Sequence, residues 1–280
     1  FTSTGGEFRF RSNGSLTVGG LLDAAGQAVT LSTGFGGIAN DAATGRIVAD
    51  RLNLSAAGTI SLTGSTAGPN LIRALGDIVT QNSATIAIAN GRDLFIEGVM
   101  SSSSGRPTLS LTAAGAITQA ATSRLEVTRL DVSATGAVDL RAPLNEVPVL
   151  GTVSAPDFAL ATTTGLTLNG PITVPGTLRL EAAGALTTGE LDGAPVRVSA
   201  GTLAGRAAGT ALAGEGIAIG AIGDFASTGI FVLDQSGAAL RGWLPFRRYI
   251  RWMSPAPACW KLQLNTRRSG SARKSMARCT

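Results

Sequence analysis

Short runs of alternating apolar and polar residues recur along the chain. Leu52, Leu54, Gly58 and Ile60 define one run: an alternating pair, a three-residue spacer, a glycine, and another apolar residue after it. Leu109, Leu111, Gly115 and Ile117 repeat the same offsets, as do Leu130, Val132, Gly136 and Val138, and then Leu178, Leu180, Gly184 and Leu186. "VRVSAGTL" (196–203) and "IAIANGRDL" (86–94) are the same unit with a shorter spacer, and "FALATTTGL" (158–166) has a longer one. Alternation with period two predicts strands with one buried face, so that Leu52 and Leu54 point inward while Asn53 and Ser55 point outward. The glycine after the spacer predicts a bend or a left-handed backbone conformation. No segment spaces its apolar residues by three and four over a helix length, and the chain reads as all-β.

Longer copies enclose these units. "AATGRIVADRLNLSAAGTISL" (42–62) aligns without a gap on "AATSRLEVTRLDVSATGAVDL" (120–140). "PNLIRALGDI" (69–78) corresponds to "LNEVPVLGTV" (144–153) and then to "GIAIGAIGDF" (216–225). The body therefore holds about three copies of a roughly 75-residue unit, each made of turns of about 20–25 residues.

Two architectures suit such a pattern. A string of β-sandwich domains needs seven or so strands and a separate core in each copy, and about 75 residues of three- to five-residue strands is short for that. A parallel β-helix needs only that each turn cover the apolar edge of the next, stacking Leu, Ile and Val into internal columns. Because one turn cannot bury its own face, the β-helix also explains why the unit is repeated. It is the expected fold for residues 1–240, with about ten to twelve turns.

Composition fits a core of many small contacts: 44% of the residues are hydrophobic, only 5% aromatic, and 37 of 280 are glycine. Charge divides the chain sharply. Residues 1–240 hold all 18 acids and 13 of the 23 basic residues, a net charge of −5, whereas 241–280 hold ten basic residues and no acid. All three Trp (Trp243, Trp252, Trp260), the single Tyr (Tyr249), both Cys (Cys259, Cys279) and both Lys (Lys261, Lys274) lie in that tail. The acidic body is therefore not expected to bind nucleic acid. The chain opens "FTSTGGEFRF", without an initiator Met or a signal-type region, and reads as a processed segment or a fragment. The most apolar stretch, "GIAIGAIGDFASTGIFVL" (216–233), is interrupted by Asp224 and glycines and falls short of a membrane span.

"PNLIRALGD", "GPITVPGTLRLEAAGALT" and "LDVSATGAVDLRAPLNEVPVLGTVSAPDFALATTTGLTLNGPI" together resemble the repeat region of filamentous-haemagglutinin-type exoproteins. These are the secreted partners of two-partner secretion systems of Gram-negative bacteria, and related repeats occur in autotransporter passengers. The resemblance covers residues 42–240. It implies a right-handed parallel β-helix, export with the help of an outer-membrane transporter, and a cell-surface role in adhesion, aggregation or biofilm. Host or bacterial surface glycans or proteins are the implied ligands, with no enzymatic activity and no cofactor. A cysteine-free body agrees with threading unfolded through an outer-membrane pore.

Candidate chemistry is sparse. With no His in the chain, the Ser-His-Asp and Cys-His arrangements and histidine-ligated metal sites are excluded, and a body without Cys has no thiolate site. Some β-helix proteins cleave polysaccharides with Asp and Glu, so carboxylate pairs stay open as the enzymatic alternative, a lyase or glycosidase. Asp131 and Asp139 occupy outward positions of adjoining strands, with Glu126 just before them; solvated charges on an outer face are the plain alternative. "GEGIAIG" (214–220) lacks the third glycine of a dinucleotide fingerprint, since Ile219 stands there, and no helix follows. "SARK" (271–274) has the spacing of a Ser-x-x-Lys nucleophile, four residues in a basic tail.

The third long copy runs in register through "AALRG" (238–242) and stops. From Trp243 the tail, 241–280, reads as irregular or disordered chain. A loss of reading frame explains the abrupt change; an anionic-lipid or nucleic-acid-binding tail is the functional alternative.

Overall fold

The structure is a computed structural model that describes residues 6–82, 84–191, 194–214, 216–235, 248–252, 259–265 and 274–279. Among them there is no α-helix, and the parallel strands build a β-solenoid of about ten turns. The chain divides into two compact units, residues 1–147 with 154–156, and residues 148–153 with 157–280.

In the first unit the inward residues of successive turns fall into columns. One runs Leu16, Ile38, Ile60, Ile86, Leu109, Leu130, each directly opposite the next on a parallel strand. A second runs Leu31, Leu54, Ile78, Met100, Leu125, with the exposed Phe10 opposite Leu31 at its start. A third runs Leu94, Ile117, Val138. The second unit repeats the arrangement with Phe158, Leu178, Leu203 and Ile222, and with Ile172, Val198 and Ile217. The twelve apolar residues of the four sequence motifs are at most 2% exposed. Each such Leu, Ile or Val contributes roughly 1.5–3 kcal/mol of apolar burial, and it does so only because a neighbouring turn supplies the covering atoms.

The columns refine what the repeats mean. Leu109, Leu111 and Ile117 lie directly against Leu130, Val132 and Val138, so these two motifs are true neighbours. The copy at 52–60 is displaced by one strand segment around the coil. Its Ile60, not Leu52, shares a column with Leu130, and its Leu54 shares one with Leu125. The 78-residue sequence match therefore equates local conformations, not positions on the same face. Turn length explains the drift, since Ile38 to Ile60 spans 22 residues, Ile60 to Ile86 spans 26, and Leu109 to Leu130 only 21.

The motif glycines take the first of the two expected forms, a bend, and not the second. Gly58, Gly115, Gly136 and Gly184 sit in bends, but none has positive φ. What excludes a side chain is the adjacent turn. A Cβ on Gly115 would lie 2.7 Å from the Asp93 backbone nitrogen, one on Gly136 2.6 Å from that of Ala116, and one on Gly184 2.8 Å from that of Gly165. Corners of successive turns pack backbone on backbone.

In the second unit the ladder changes sense at Phe231–Gln235. That strand pairs in parallel with Gly209–Gly214 on one side. On the other it pairs antiparallel with Arg248–Trp252, followed by Cys259–Asn265 and Lys274–Cys279, also antiparallel. Strands thus stand in three stretches of the tail that the sequence predicts to be irregular. Trp243, the break at "AALRG" and Ser271–Arg273 of "SARK" lie outside the described residues, as does Glu215 of "GEGIAIG".

Candidate functional site

Period-two geometry places residues i and i+2 on the same face of a strand, and the outer faces use this to pair charges. Asp131 is bound by Arg129 of its own strand, Nε to Oδ2 3.0 Å. Asp139 accepts both arms of Arg141, at 2.8 and 2.7 Å. Glu126 meets Arg124 at 2.6 Å. Each carboxylate noted in the sequence is thus drawn to an arginine two positions away on its own segment. The hydrogen bond from Arg141 holds the Asp139 carboxyl below the ordinary aspartate range, opposing the effect of partial burial. That direction favours the ionised form, the reverse of what a general acid needs.

The structure adds a partner that spacing along the sequence does not reveal. Glu126 and Glu146 face each other across adjacent turns as an isolated parallel bridge. Arg106 pairs with Glu146 while Arg124 pairs with Glu126. Two carboxylates and two arginines, contributed by three turns, make this the densest grouping in the stretch that holds Asp131 and Asp139. Beside it, Asn145 is fully buried. Its Oδ1 accepts the Leu125 N–H at 3.0 Å and its Nδ2 donates to the Leu140 carbonyl at 2.9 Å.

A second charge network spans the turns below. Arg73 binds Asp50 through two hydrogen bonds, at 2.6 and 3.0 Å, and reaches Glu97 at 3.4 Å; Arg51 approaches Glu97 from the other side at 3.6 Å. Arg73, assisted by the field of Arg92, holds the Asp50 carboxyl below its ordinary value. These residues stand 23 and 24 positions apart, one turn, so the turn length was the signal that could have found them. Other acids seal corners. Asp77 accepts from Val99 N–H at 2.9 Å, Asp93 from Ala116 at 2.8 Å, and Asp157 from Thr177 at 2.7 Å.

Buried amides complete the inventory. Asn70 accepts the Ile47 N–H at 2.9 Å and donates to the carbonyls of Leu62 and Ala89 at 3.0 and 3.1 Å. Asn90 accepts from Ile72 N–H at 2.8 Å and donates back to its carbonyl at 2.9 Å. The sequence reading passed over them as ordinary polar residues, although Asn70 and Asn145 align when "PNLIRALGDI" is laid on "LNEVPVLGTV".

No group of three or more potential ligands suited to a metal ion occurs among the described residues, and no helix there is long and apolar enough to cross a membrane. Fold and side-chain inventory together define the class: a parallel β-solenoid whose polar side chains chiefly serve its own turns. No family model, curated protein or solved structure matches the chain.

Proposed function

We propose that the chain is part of a non-enzymatic, secreted or cell-surface structural protein of adhesin type, acting in adhesion, aggregation or biofilm. One observation carries this reading. Every carboxylate from Glu7 to Glu181 already accepts a hydrogen bond or ion pair from an arginine or a backbone N–H of the solenoid. Some of these contacts tie one turn to the next and others hold a single strand or corner, so the carboxylates serve the solenoid itself. Export through an outer-membrane transporter, and glycans or proteins of host or bacterial surfaces as ligands, follow from the likeness to filamentous-haemagglutinin repeats.

The bridged pair Glu126 and Glu146, with Arg106 and Arg124, supports a second reading, a polysaccharide lyase or glycosidase on the same scaffold. Both readings meet in one experiment: incubate the chain with a panel of neutral and acidic polysaccharides and score retention and cleavage separately. The adhesin reading expects retention without new chain ends. Cleavage that disappears in Glu126→Gln or Glu146→Gln would establish the enzyme instead.

A further inference from the structure

The residues after the last repeat, set apart by composition, continue the pattern of the strand they pair with. Phe231 and Leu233 are the inward positions of Phe231–Gln235, 4% and 1% exposed. Opposite Phe231 the antiparallel register sets Trp252, then Leu262, then Met276. Opposite Leu233 it sets Ile250, then Leu264, and the line ends on Lys274 in the outermost strand. Opposite Val232, between those two positions, the register sets the polar residues Arg251, Gln263 and Ser275. Directly opposed residues of an antiparallel ladder share a face. The register therefore sets apolar residues of the tail opposite the two inward positions of Phe231–Gln235, and polar ones opposite Val232 between them.

We propose that the strands Arg248–Trp252, Cys259–Asn265 and Lys274–Cys279 cap the parallel ladder at Phe231–Gln235. A parallel stack leaves its last strand with a row of unpaired N–H and C=O groups, a template for association with other chains. Arg248–Trp252 takes that row on Phe231–Gln235. The reversal to antiparallel pairing turns the chain back on itself and interrupts the stacking of further parallel turns. The outermost strand, "KSMARC", carries Lys274 and Arg278 and no acid, the like-charged edge that discourages addition of another strand. This role accounts for both oddities of the segment, its basic charge and its large apolar residues.

Hydrogen exchange read by mass spectrometry on the full chain tests the cap. The expected result is that 248–252, 259–265 and the amides of 231–235 that do not face Gly209–Gly214 exchange at least about a hundredfold more slowly than free peptide. The double variant Ile250→Glu/Leu264→Glu, on the face shared with Leu233, should raise these rates about tenfold or more. Arg251→Glu/Gln263→Glu, on the other face, should leave them unchanged. Amides of 109–113 and 130–134, protected in every variant, show that the solenoid itself is folded. Free-peptide rates throughout 248–279 of the unmodified chain would overturn the proposal in favour of a tail foreign to the fold. Equal effects of the two double variants would overturn it as well.

Discussion

Asn70 does for Ile47 and Leu62 what Asn145 does for Leu125 and Leu140: each amide accepts the N–H of the first and donates to the carbonyl of the second, and the two pairs of partners lie 78 residues apart. Both side chains are fully buried, so water cannot replace either bond. Asn70→Ala should lower stability by about 3 kcal/mol, because each buried group left without a partner costs roughly 1–3 kcal/mol. Asn145→Ala should cost a similar amount. Urea denaturation of each variant beside the unmodified chain measures this, and a change under about 0.5 kcal/mol would contradict the buried-amide account.

Glycine substitutions should separate close packing from conformational freedom. Gly98→Ala sets a Cβ 2.2 Å from the Gly76 carbonyl carbon, and Gly136→Ala sets one 2.6 Å from the Ala116 nitrogen. Neither glycine has positive φ, so sterics alone acts, and each change should destabilise by about 1–3 kcal/mol. Gly14 has open space around its Cβ position and no positive φ, and Gly14→Ala should be neutral within about 0.5 kcal/mol. Thermal melts of the three variants rank the costs directly.

Column residues should show how locally the solenoid is held together. Leu111 is fully buried between Ile88 and Val132, and Leu111→Ala should cost about 2–5 kcal/mol. Stability in stacked turns is close to a sum of nearest-neighbour terms, so the loss should appear first in the adjoining strands. Hydrogen exchange should quicken at 85–90 and 129–134 before it does at 46–56. Ser110→Ala, on the outer face of the same strand, should change neither.

Acid should weaken the outer pairs in a defined direction. Arg73 and Arg141 hold Asp50 and Asp139 below the ordinary aspartate value of 3.8. A carboxyl whose folded pKa lies below its unfolded one stabilises the fold fully above about pH 4 and loses that contribution as pH falls through the folded value. Both pairs are 40–46% exposed, which limits each to about 0.2–1 kcal/mol. Asp50→Asn/Asp139→Asn should therefore be less stable than the unmodified chain at pH 6 and nearly equal to it at pH 2, as read by urea midpoints.

The strands and their buried faces were legible in the sequence because period-two alternation survives every change of spacer. Leu52, Leu109, Leu130 and Leu178 declare their faces without knowledge of the partner strand. Which strands lie together was not legible, since it depends on turn lengths between 18 and 26 residues that loops set. For the same reason Asp131 and Asp139 stood out as neighbours in sequence, whereas Glu146, opposite Glu126 one turn away, did not. Asn70 and Asn145 escaped notice because an amide looks alike on a surface and in a core until its backbone partners are known. The glycine bends were legible as well, but the close approach of the preceding turn's backbone to Gly115, Gly136 and Gly184 was not.

The displacement of the 52–60 motif by one strand segment bears on how such a chain can lengthen. A duplicated block need not equal a whole number of turns, because what must be conserved at each junction is parity, the alternation of inward and outward positions. A copy inserted with that parity still sends its leucines to the interior, whichever side of the coil receives it. Unequal recombination could therefore break and rejoin the gene at many corners and still yield a polypeptide that winds, which makes length itself an easily varied trait.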